Sequence, residues 1–320
     1  MIELHERNET IINLLLDHPE GLHPAEIARQ LGVNRSTVSR FANLPACIYQ
    51  DEQGRWRVDR ALLPIEIEFS LDEALAVHLA TRMLATRSDR QNPHAASAIH
   101  KLSKATARMA PLISRSLRLS AERIEEATLR DDLFRQALET LARAWAESRT
   151  VRIWHRSMRT NELVEYILKP YFIEPNAIGQ STYVIGERDP EGDLRTLKIE
   201  RIERVELLDT RYTIPEDFDA TSLLASAWGI WLSDHDPVEI RLRFSSKVAR
   251  RVCETRWHTS ERIDELDDGG LLWTATVAEP REMLPWIRGW GAEVEVLSPP
   301  EVRDMLVEEL RRLDQLYGIQ

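Results

Sequence analysis

Arginine and short hydroxyl side chains are concentrated in an N-terminal segment that has no acidic residue. Residues 27–50 contain neither Asp nor Glu, although the whole chain carries a net charge of −11. Arginine pairs with guanine edges and phosphates, and serine and threonine hydroxyls suit phosphates or either base edge. We therefore predict that this segment reads the DNA major groove through Arg35, Ser36, Thr37, Ser39 and Arg40.

A second group of candidates surrounds a predicted β-hairpin, STYVIGERDPEGDLRTLKIERI, residues 181–202. If residues 195–201 form a regular strand, Arg195 and Arg201 share one face about 20 Å apart, too far to hold one phosphate by themselves. They could instead flank an extended anion such as an oligonucleotide, with Tyr183 as a stacking plane. His155 and Arg188 are further candidates at nearby strand ends.

An ordinary surface role is the alternative for several of these side chains. Four charged residues of this segment could simply form ion pairs with one another at the surface: Lys198, Glu200, Arg201 and Glu203. In the C-terminal part, Arg288 precedes a helix-ending glycine and could project into a groove. A core-edge or ion-pair role for Arg288 stays equally open, as it does for Arg256 and His258.

The DNA-reading segment lies within a pattern of three helices and a hairpin. The three helical patterns are NETIINLLLDHP, HPAEIARQLG and RSTVSRFANL. Gly32 permits the sharp turn between the second and third. The following CIYQDEQGRWRVD predicts a two-stranded wing, in which Arg55 and Arg57 would approach the DNA backbone. A solvated strand face is the alternative for these two arginines.

Hydrophobic periodicity divides the remainder of the chain into three parts. Residues 70–150 are predicted to be helical, and AIHKLSKATARMAPLI is predicted as one of the helices. Leu75, Leu79 and Met83 form an apolar stripe, which we expect to pack within the connector or on a second subunit. From Thr150 a period of two predicts four to five strands, which suggests a small antiparallel barrel. Residues 238–297 read strand, helix, strand, strand, helix, strand, the ferredoxin-like order.

We therefore predict an α+β multidomain protein. The boundaries are a winged helix-turn-helix over 1–62, a helical connector over 63–149, a barrel over 150–215, a linker over 216–235 and a ferredoxin-like C-terminal domain over 236–320.

Composition and motifs argue against several other classes of protein. The longest apolar stretch, LLASAWGIWL, is about half the length of a membrane-spanning helix, and no secretory leader is evident. Cys47 and Cys253 are isolated, which fits a reducing cytoplasm and gives no metal-type spacing. Phosphate-binding glycine loops, nucleophile elbows and metal-binding helices are missing from the sequence. We expect no enzyme, cofactor, metal or membrane association.

The order of these parts resembles that of bacterial WYL-domain transcriptional regulators. The resemblance covers nearly the whole chain and is carried by VRIWHR, LKPYFI, LRTLKIERI, VEIRLRFSSKVARRVCETRWH and WIRGWGAEVEVLSPPEVR. The signature tripeptide is replaced by Thr182-Tyr183-Val184, so only the tyrosine is retained.

The resemblance implies an Sm-like WYL barrel followed by a C-terminal WCX-type extension. It implies that these two parts bind a nucleic-acid or nucleotide-like effector and thereby change DNA binding by the N-terminal domain. It also implies a homodimer, and some members lie beside phage-defence or DNA-damage genes. The resulting hypothesis is a cytoplasmic regulator on a palindromic operator. A nucleic-acid-binding accessory protein of a defence or repair system, without its own promoter, is the alternative.

Overall fold

The computed structural model describes residues 4–39, 45, 47–60, 62–63, 67–87, 92–128, 132–158, 160–176, 180–233 and 235–318. It is a mixed α/β structure with an N-terminal helix-turn-helix and antiparallel sheets. Within these residues no helix has the length and apolar character needed to cross a bilayer.

The N-terminal part has the predicted helix-turn-helix and wing. Its elements are α1 (Leu4–Asp17), α2 (Pro24–Leu31), α3 (Arg35–Ser39), β1 (Ile48–Gln50) and β2 (Trp56–Val58). Gly32 ends α2 at φ 67°, a left-handed conformation that glycine adopts without a steric cost. Ile11, Ile27 and Val38, one from each helix, are fully buried together and fix α3 against the other two helices.

Three helices follow: α4 (Leu71–Arg87), α5 (Pro93–Thr106) and α6 (Pro111–Thr128). The prediction of a single helix over residues 98–113 is wrong. The chain turns after Thr106 and resumes at Pro111, whose ring suits the first helical position but cannot continue a helix from the preceding turn. Leu79 and Met83 of the predicted stripe are 57% and 63% exposed, so more than half of the surface of each residue faces solvent.

Helix α7 (Asp132–Glu147) packs on a five-stranded antiparallel sheet. The strands are β3 (Arg149–Arg156), β4 (Leu163–Asn176), β5 (Ser181–Asp189), β6 (Leu194–Lys198) and β7 (Ile202–Arg211), in the order β6-β5-β4-β3-β7. Phe134 and Leu141 of α7 are buried against Val151, Ile153 and Val184 on one face of the sheet. The apolar side of this helix therefore forms half of the core.

The opposite face of the sheet is covered by the segment predicted as a linker. This segment includes α8 (Ala220–Leu224), and Ile230 is fully buried with Phe172 and Ile185 of the sheet. Trp228, two residues earlier, is buried in the C-terminal core instead. Between them the chain is held by the Glu282 carboxylate, which accepts the backbone N–H groups of Gly229, Ile230 and Trp231 at 2.9, 2.8 and 3.2 Å.

The C-terminal part contains a four-stranded antiparallel sheet in the order β11-β8-β10-β9. Its elements are β8 (Val238–Phe244), α9 (Ala249–Cys253), β9 (Arg262–Glu265), β10 (Leu271–Val277), α10 (Leu284–Arg288), β11 (Val294–Ser298) and α11 (Pro300–Tyr317). Phe244, Trp273 and Trp228 are among the aromatic side chains of its core. Beyond Val302, α11 leaves Leu310, Leu313, Leu316 and Tyr317 exposed.

Candidate nucleic-acid interface and effector cleft

The exposed side of α3 carries the predicted DNA-reading residues. Val38 is fully buried, whereas Arg35, Ser36 and Thr37 are exposed on the side away from the core. The Ser39 side chain and Arg40 lie outside the described residues. The described part of α3 therefore presents one guanidinium and two hydroxyl groups to solvent, the donor types that pair with base edges and phosphates.

The two wing arginines are bound within the chain. The Arg57 Nε atom lies 2.9 Å from Oδ2 of Asp51, and Arg55 contacts the Gly21 carbonyl at 3.5 Å. Backbone N–H groups, that of Arg55 foremost, and the Arg57 guanidinium hold the pKa of the Asp51 carboxyl below its usual range, so Asp51 is a stable counter-ion. Contact of Arg57 with a DNA phosphate would require it to leave or share this ion pair.

At the hairpin end of the sheet, Arg188 and Arg195 share one carboxylate. Asp193 lies 2.8 Å from Arg188 Nε and 2.5 Å from Arg195 Nη2, and Glu191 is 3.5 Å from Arg188. The hydrogen bond from Arg188 and the charges of both arginines keep the pKa of Asp193 low. Both hairpin arginines are therefore engaged in surface ion pairs.

Arg201 lies elsewhere, because the predicted regular strand over residues 195–201 is wrong. Strand β6 ends at Lys198, and Ile199–Arg201 form a 3-10 turn before β7 begins. Burial of Ile199 and a 2.8 Å hydrogen bond from the Thr182 N–H to the Glu200 carboxylate hold this turn against β5. The alternation of side chains is lost, so the expected common face of Arg195 and Arg201 does not exist.

The turn leaves the Arg201 guanidinium without a carboxylate at ion-pair distance among the described residues. Its one hydrogen-bond contact there is with the sulfur of Met158, at 3.2 Å. Sulfur is a weak acceptor, so most of the donors in the guanidinium fork stay available. Arg201 thus differs from the other sheet arginines proposed as ligands, which are both ion-paired.

His155 lies beneath this turn and is only 7% exposed. Burial, followed by the nearby charge of Arg201, lowers its pKa to about 4, although a hydrogen bond to the Lys198 backbone favours the charged form. Its Nε2 atom is buried and has no hydrogen-bond partner in the described part of the chain. At neutral pH His155 is therefore a neutral imidazole with one unused ring nitrogen.

Tyr183 lies on the other face of the sheet, packed beside the cluster that contains Ile185 and Ile230. Burial raises the pKa of its phenol, while the charge of Arg201 opposes that rise. The field of Arg201 therefore reaches both His155 and Tyr183 from the end of the sheet. Arg188 and Arg195 stay at the hairpin, whereas the charge of Arg201 acts on both His155 and Tyr183.

A cleft of about 510 Å³ opens beside Arg201. Phe134 and Leu133 at the start of α7 form its apolar side, and the Arg156–Glu203 ion pair lies on its rim. The remaining lining residues are Ser157, Met158, Asn161, Glu200 and Ile202. A guanidinium without a carboxylate partner among the described residues, beside an apolar wall, suits a ligand with an anionic group and a flat or apolar group.

The cleft also contains residues that the sequence analysis did not propose. Met158 and Asn161 come from the loop between β3 and β4, and Leu133 comes from α7. Leu133 is 57% exposed although it is apolar, a property that becomes visible only once the helix is packed.

The other C-terminal candidates are engaged within the domain. Arg288 Nε lies 2.7 Å from Glu309 of α11, so its ion-pair alternative is the one observed. Arg256 donates to the Thr259 carbonyl at 2.8 Å, and His258 stacks on Trp228 with ring centroids 6.2 Å apart. No group of His, Cys, Asp and Glu side chains in the described ranges has the arrangement of a metal site.

Comparison with known proteins adds three family matches along the chain. Residues 7–43 match the IclR helix-turn-helix domain, residues 136–207 the WYL domain and residues 236–313 the WCX domain. No curated protein matches the chain.

Two solved structures are similar at low identity. Proteasome accessory factor B/C (PafBC) of Arthrobacter aurescens is 18% identical with a TM-score of 0.32, over 93% of this chain and 46% of that chain. A CRISPR Cas-related protein is 10% identical with a TM-score of 0.42, over 81% of this chain and 89% of that chain. The chain thus spans less than half the length of the PafBC chain that it matches.

The helix-turn-helix places exposed donors on α3, and the WYL match covers the sheet that holds the cleft. The domain order is an IclR-type helix-turn-helix, a WYL domain and a WCX domain, an order consistent with that of the WYL-domain transcriptional regulators.

Proposed function

We propose that this regulator reads an operator through α3 and senses an anionic, nucleic-acid-like effector in the cleft beside Arg201. The observation that carries the sensing role is the guanidinium of Arg201, which has no carboxylate partner among the described residues. An apolar wall from Phe134 and Leu133 faces the same space. A phosphate would pair with the fork of Arg201, and a base would lie on the apolar wall.

Within this proposal, Tyr183 and His155 assist Arg201, whereas Arg188, Arg195 and Arg288 serve mainly as ion-paired structural residues. The buried Nε2 atom of His155, which has no hydrogen-bond partner among the described residues, supports its role, because a ligand donor would satisfy it. The exposed Arg35, Ser36 and Thr37 support DNA reading by α3, with Ser39 and Arg40 as its continuation.

The finer fold assignments belong to the same proposal. The order β11-β8-β10-β9, with helices after the first and third strands in sequence, supports a ferredoxin-like C-terminal domain. The five-stranded sheet, curved by a bulge between Pro170 and Phe172, supports an Sm/SH3-like barrel. We keep the boundaries 1–62, 63–149, 150–215 and 236–320, and we assign residues 216–235 to the cover of the sheet.

We propose a homodimer on a palindromic operator, in the cytoplasm and without enzymatic activity. One helix-turn-helix contacts a single half-site, and a two-fold dimer matches a palindrome. The exposed Leu310, Leu313 and Leu316 of α11 support a further contact with protein.

Footprinting of the purified full chain on the DNA flanking its own gene tests this function. A discrete palindromic footprint at moderate salt, lost in Arg35→Ala, is expected; Glu254→Ala, an exposed change in the C-terminal domain, is the control and should leave it intact. Uniform protection of any duplex would contradict the regulator and favour the accessory protein of a defence or repair system.

Effector sensing is tested separately by adding a 5′-phosphorylated single-stranded DNA oligonucleotide to the operator complex. We expect a changed operator affinity for the wild-type chain and no change for Arg201→Ala. A response that survives in Arg201→Ala would contradict the assignment of the cleft.

A further inference from the structure

Arg60 joins the ends of two helices that belong to different parts of the molecule. Its Nη2 atom donates to the Leu16 carbonyl at 3.2 Å, in the last turn of α1, and its Nη1 atom donates to the Ala146 carbonyl at 3.3 Å, in the last turn of α7. The last carbonyls of a helix lack partners within the helix and carry partial negative charge. One guanidinium thus links the helix-turn-helix to the helix that packs on the WYL sheet.

The two ends of α7 have different surroundings. At its start, Leu133 and Phe134 line the cleft beside Arg201. At its end, Arg60 binds the Ala146 carbonyl and Arg211 binds the Glu147 carbonyl at 3.3 Å. Sixteen helical residues span about 24 Å, so α7 reaches from the effector cleft to the DNA-binding part.

The body of α7 is too tightly packed to bend between these ends. Ala137, Leu141 and Ala144 are at most 1% exposed and contact the core of the sheet. Close-packed interiors transmit displacement and do not absorb it. A ligand that pushes against Leu133 therefore moves the helix as a unit, including the Ala146 carbonyl at its far end.

The surroundings of Arg60 allow such a movement of α7 to change the hydrogen bonds that Arg60 makes. A polar cleft of about 400 Å³ separates the end of α1 and the wing from the end of α7 and β7. Both hydrogen bonds of Arg60 are longer than the usual 2.9–3.0 Å. A shift of a few tenths of an ångström would break one of them, since a contact of about 3.6 Å is no longer a hydrogen bond.

We infer that Arg60 is the positioning residue that couples the effector cleft to the orientation of the helix-turn-helix, with α7 as the rigid element between them. This inference rests on the proposed function. It assigns to Arg60 no contact with DNA or effector; its role is to set where α3 stands relative to the WYL sheet.

The chain provides a matched control for this role. Arg211 also donates to a carbonyl at the end of α7, but it comes from β7 and so lies within the WYL sheet. Arg211→Ala therefore removes a similar bond from the same helix end without touching α1. Arg60→Lys keeps the positive charge but not the fork that reaches two carbonyls.

The first measurement concerns orientation and needs no effector. Spin labels at Asn13→Cys in α1 and Gln136→Cys in α7, in a full chain with Cys253→Ser, report the distance between the two helices. We expect a broader distance distribution in Arg60→Ala and Arg60→Lys, and an unchanged one in Arg211→Ala. An unchanged distribution in Arg60→Ala would overturn the inference.

The second measurement uses the operator and the 5′-phosphorylated oligonucleotide probe. Arg60→Ala should retain probe binding and operator binding while losing the fold-change in operator affinity that the probe causes; Arg211→Ala should keep that fold-change. A normal fold-change in Arg60→Ala would refute the coupling. A wild-type chain without any fold-change would count against the proposed function itself, while the distance measurement would still decide the role of Arg60 in orientation.

Discussion

The two ends of the five-stranded WYL sheet carry the same side chain in different electrostatic surroundings. At the hairpin, Arg188 and Arg195 lie on either side of Asp193, within 2.8 Å of its carboxylate. At the other end, a 3-10 turn leaves Arg201 beside a cleft, with a methionine sulfur as its hydrogen-bond contact. Under the proposed function, this difference in nearby carboxylates determines where an anion binds.

The strongest test of this contrast compares Arg201→Ala with Arg195→Ala. We expect Arg201→Ala to weaken binding of the 5′-phosphorylated oligonucleotide by about 10- to 100-fold, since hydrogen bonds to charged groups contribute about 1.5–3 kcal/mol. Arg195→Ala should change it less than about fivefold, the scale of a surface ion pair. Fluorescence anisotropy at fixed salt measures both, and equal losses would show that the two ends are equivalent.

For an oligonucleotide that passes Arg201 and reaches the other face of the sheet, where Tyr183 lies, Tyr183→Ala should have the next largest effect. We expect a loss of about 10-fold in affinity, because one base stacked on an aromatic ring contributes about 1–3 kcal/mol. Tyr183→Phe keeps the ring and should bind nearly as well as the wild-type chain. A large loss in Tyr183→Phe would instead assign the role to the phenol hydroxyl.

Asp193→Asn tests the contrast in the opposite direction. Removal of the shared carboxylate should create anion affinity at the hairpin and raise binding of the oligonucleotide by about two- to fivefold at low salt, the scale expected for surface charges. Adding Arg188→Ala should reverse the gain. If Asp193→Asn binds the oligonucleotide no better than the wild-type chain, the ion pairs with Asp193 do not explain why the hairpin arginines bind no anion.

The smallest expected effect is a titration shift at His155. In Arg201→Ala we expect its pKa to rise from about 4, because a nearby positive charge has been removed. Arg195→Ala should leave it unchanged. Two-dimensional NMR of the imidazole signals measures both, and a shift of the same size in the two variants would contradict the separation of the two ends.

The same histidine gives stability a pH dependence with a defined sign. The pKa of His155 is lower in the folded protein than its ordinary value of 6.5, so the unfolded chain binds the proton more readily. Its contribution to stability is complete above about pH 6.5 and is lost as the pH falls toward about 4. His155→Gln should reduce this acid sensitivity in denaturant titrations at several pH values.

Local sequence signals predicted much of the fold. Gly32, the acid-free segment and the turn at Gly54 indicated the helix-turn-helix and wing, and the periodicity of residues 238–297 gave the order of strands and helices that the structure has. Each of these signals depends on neighbours in the chain, which a sequence shows directly.

The composition of the cleft depended on contacts between distant residues. The 3-10 turn at Arg201 is held by Thr182 and Glu200 across the sheet, and the partner of Arg195 is decided by the position of Asp193. Leu133 and Met158 reach the cleft from separate elements. Strand alternation alone placed Arg195 and Arg201 on one face, and only the tertiary packing separates them.

The short segment between Trp228 and Ile230 has a consequence for cooperativity. These residues are two positions apart, yet one is buried in the C-terminal core and the other in the cover of the WYL sheet. Two residues span about 7 Å at most, so the cores cannot separate unless one side chain is withdrawn. A Cβ atom at Gly229 would lie 2.8 Å from Glu282 Oε1 and 2.9 Å from Asn176 Nδ2, so a larger residue there would have to displace these side-chain groups. We therefore expect the WYL and WCX parts to melt in a single transition, as one thermodynamic unit that the boundaries of the two sequence matches do not reveal.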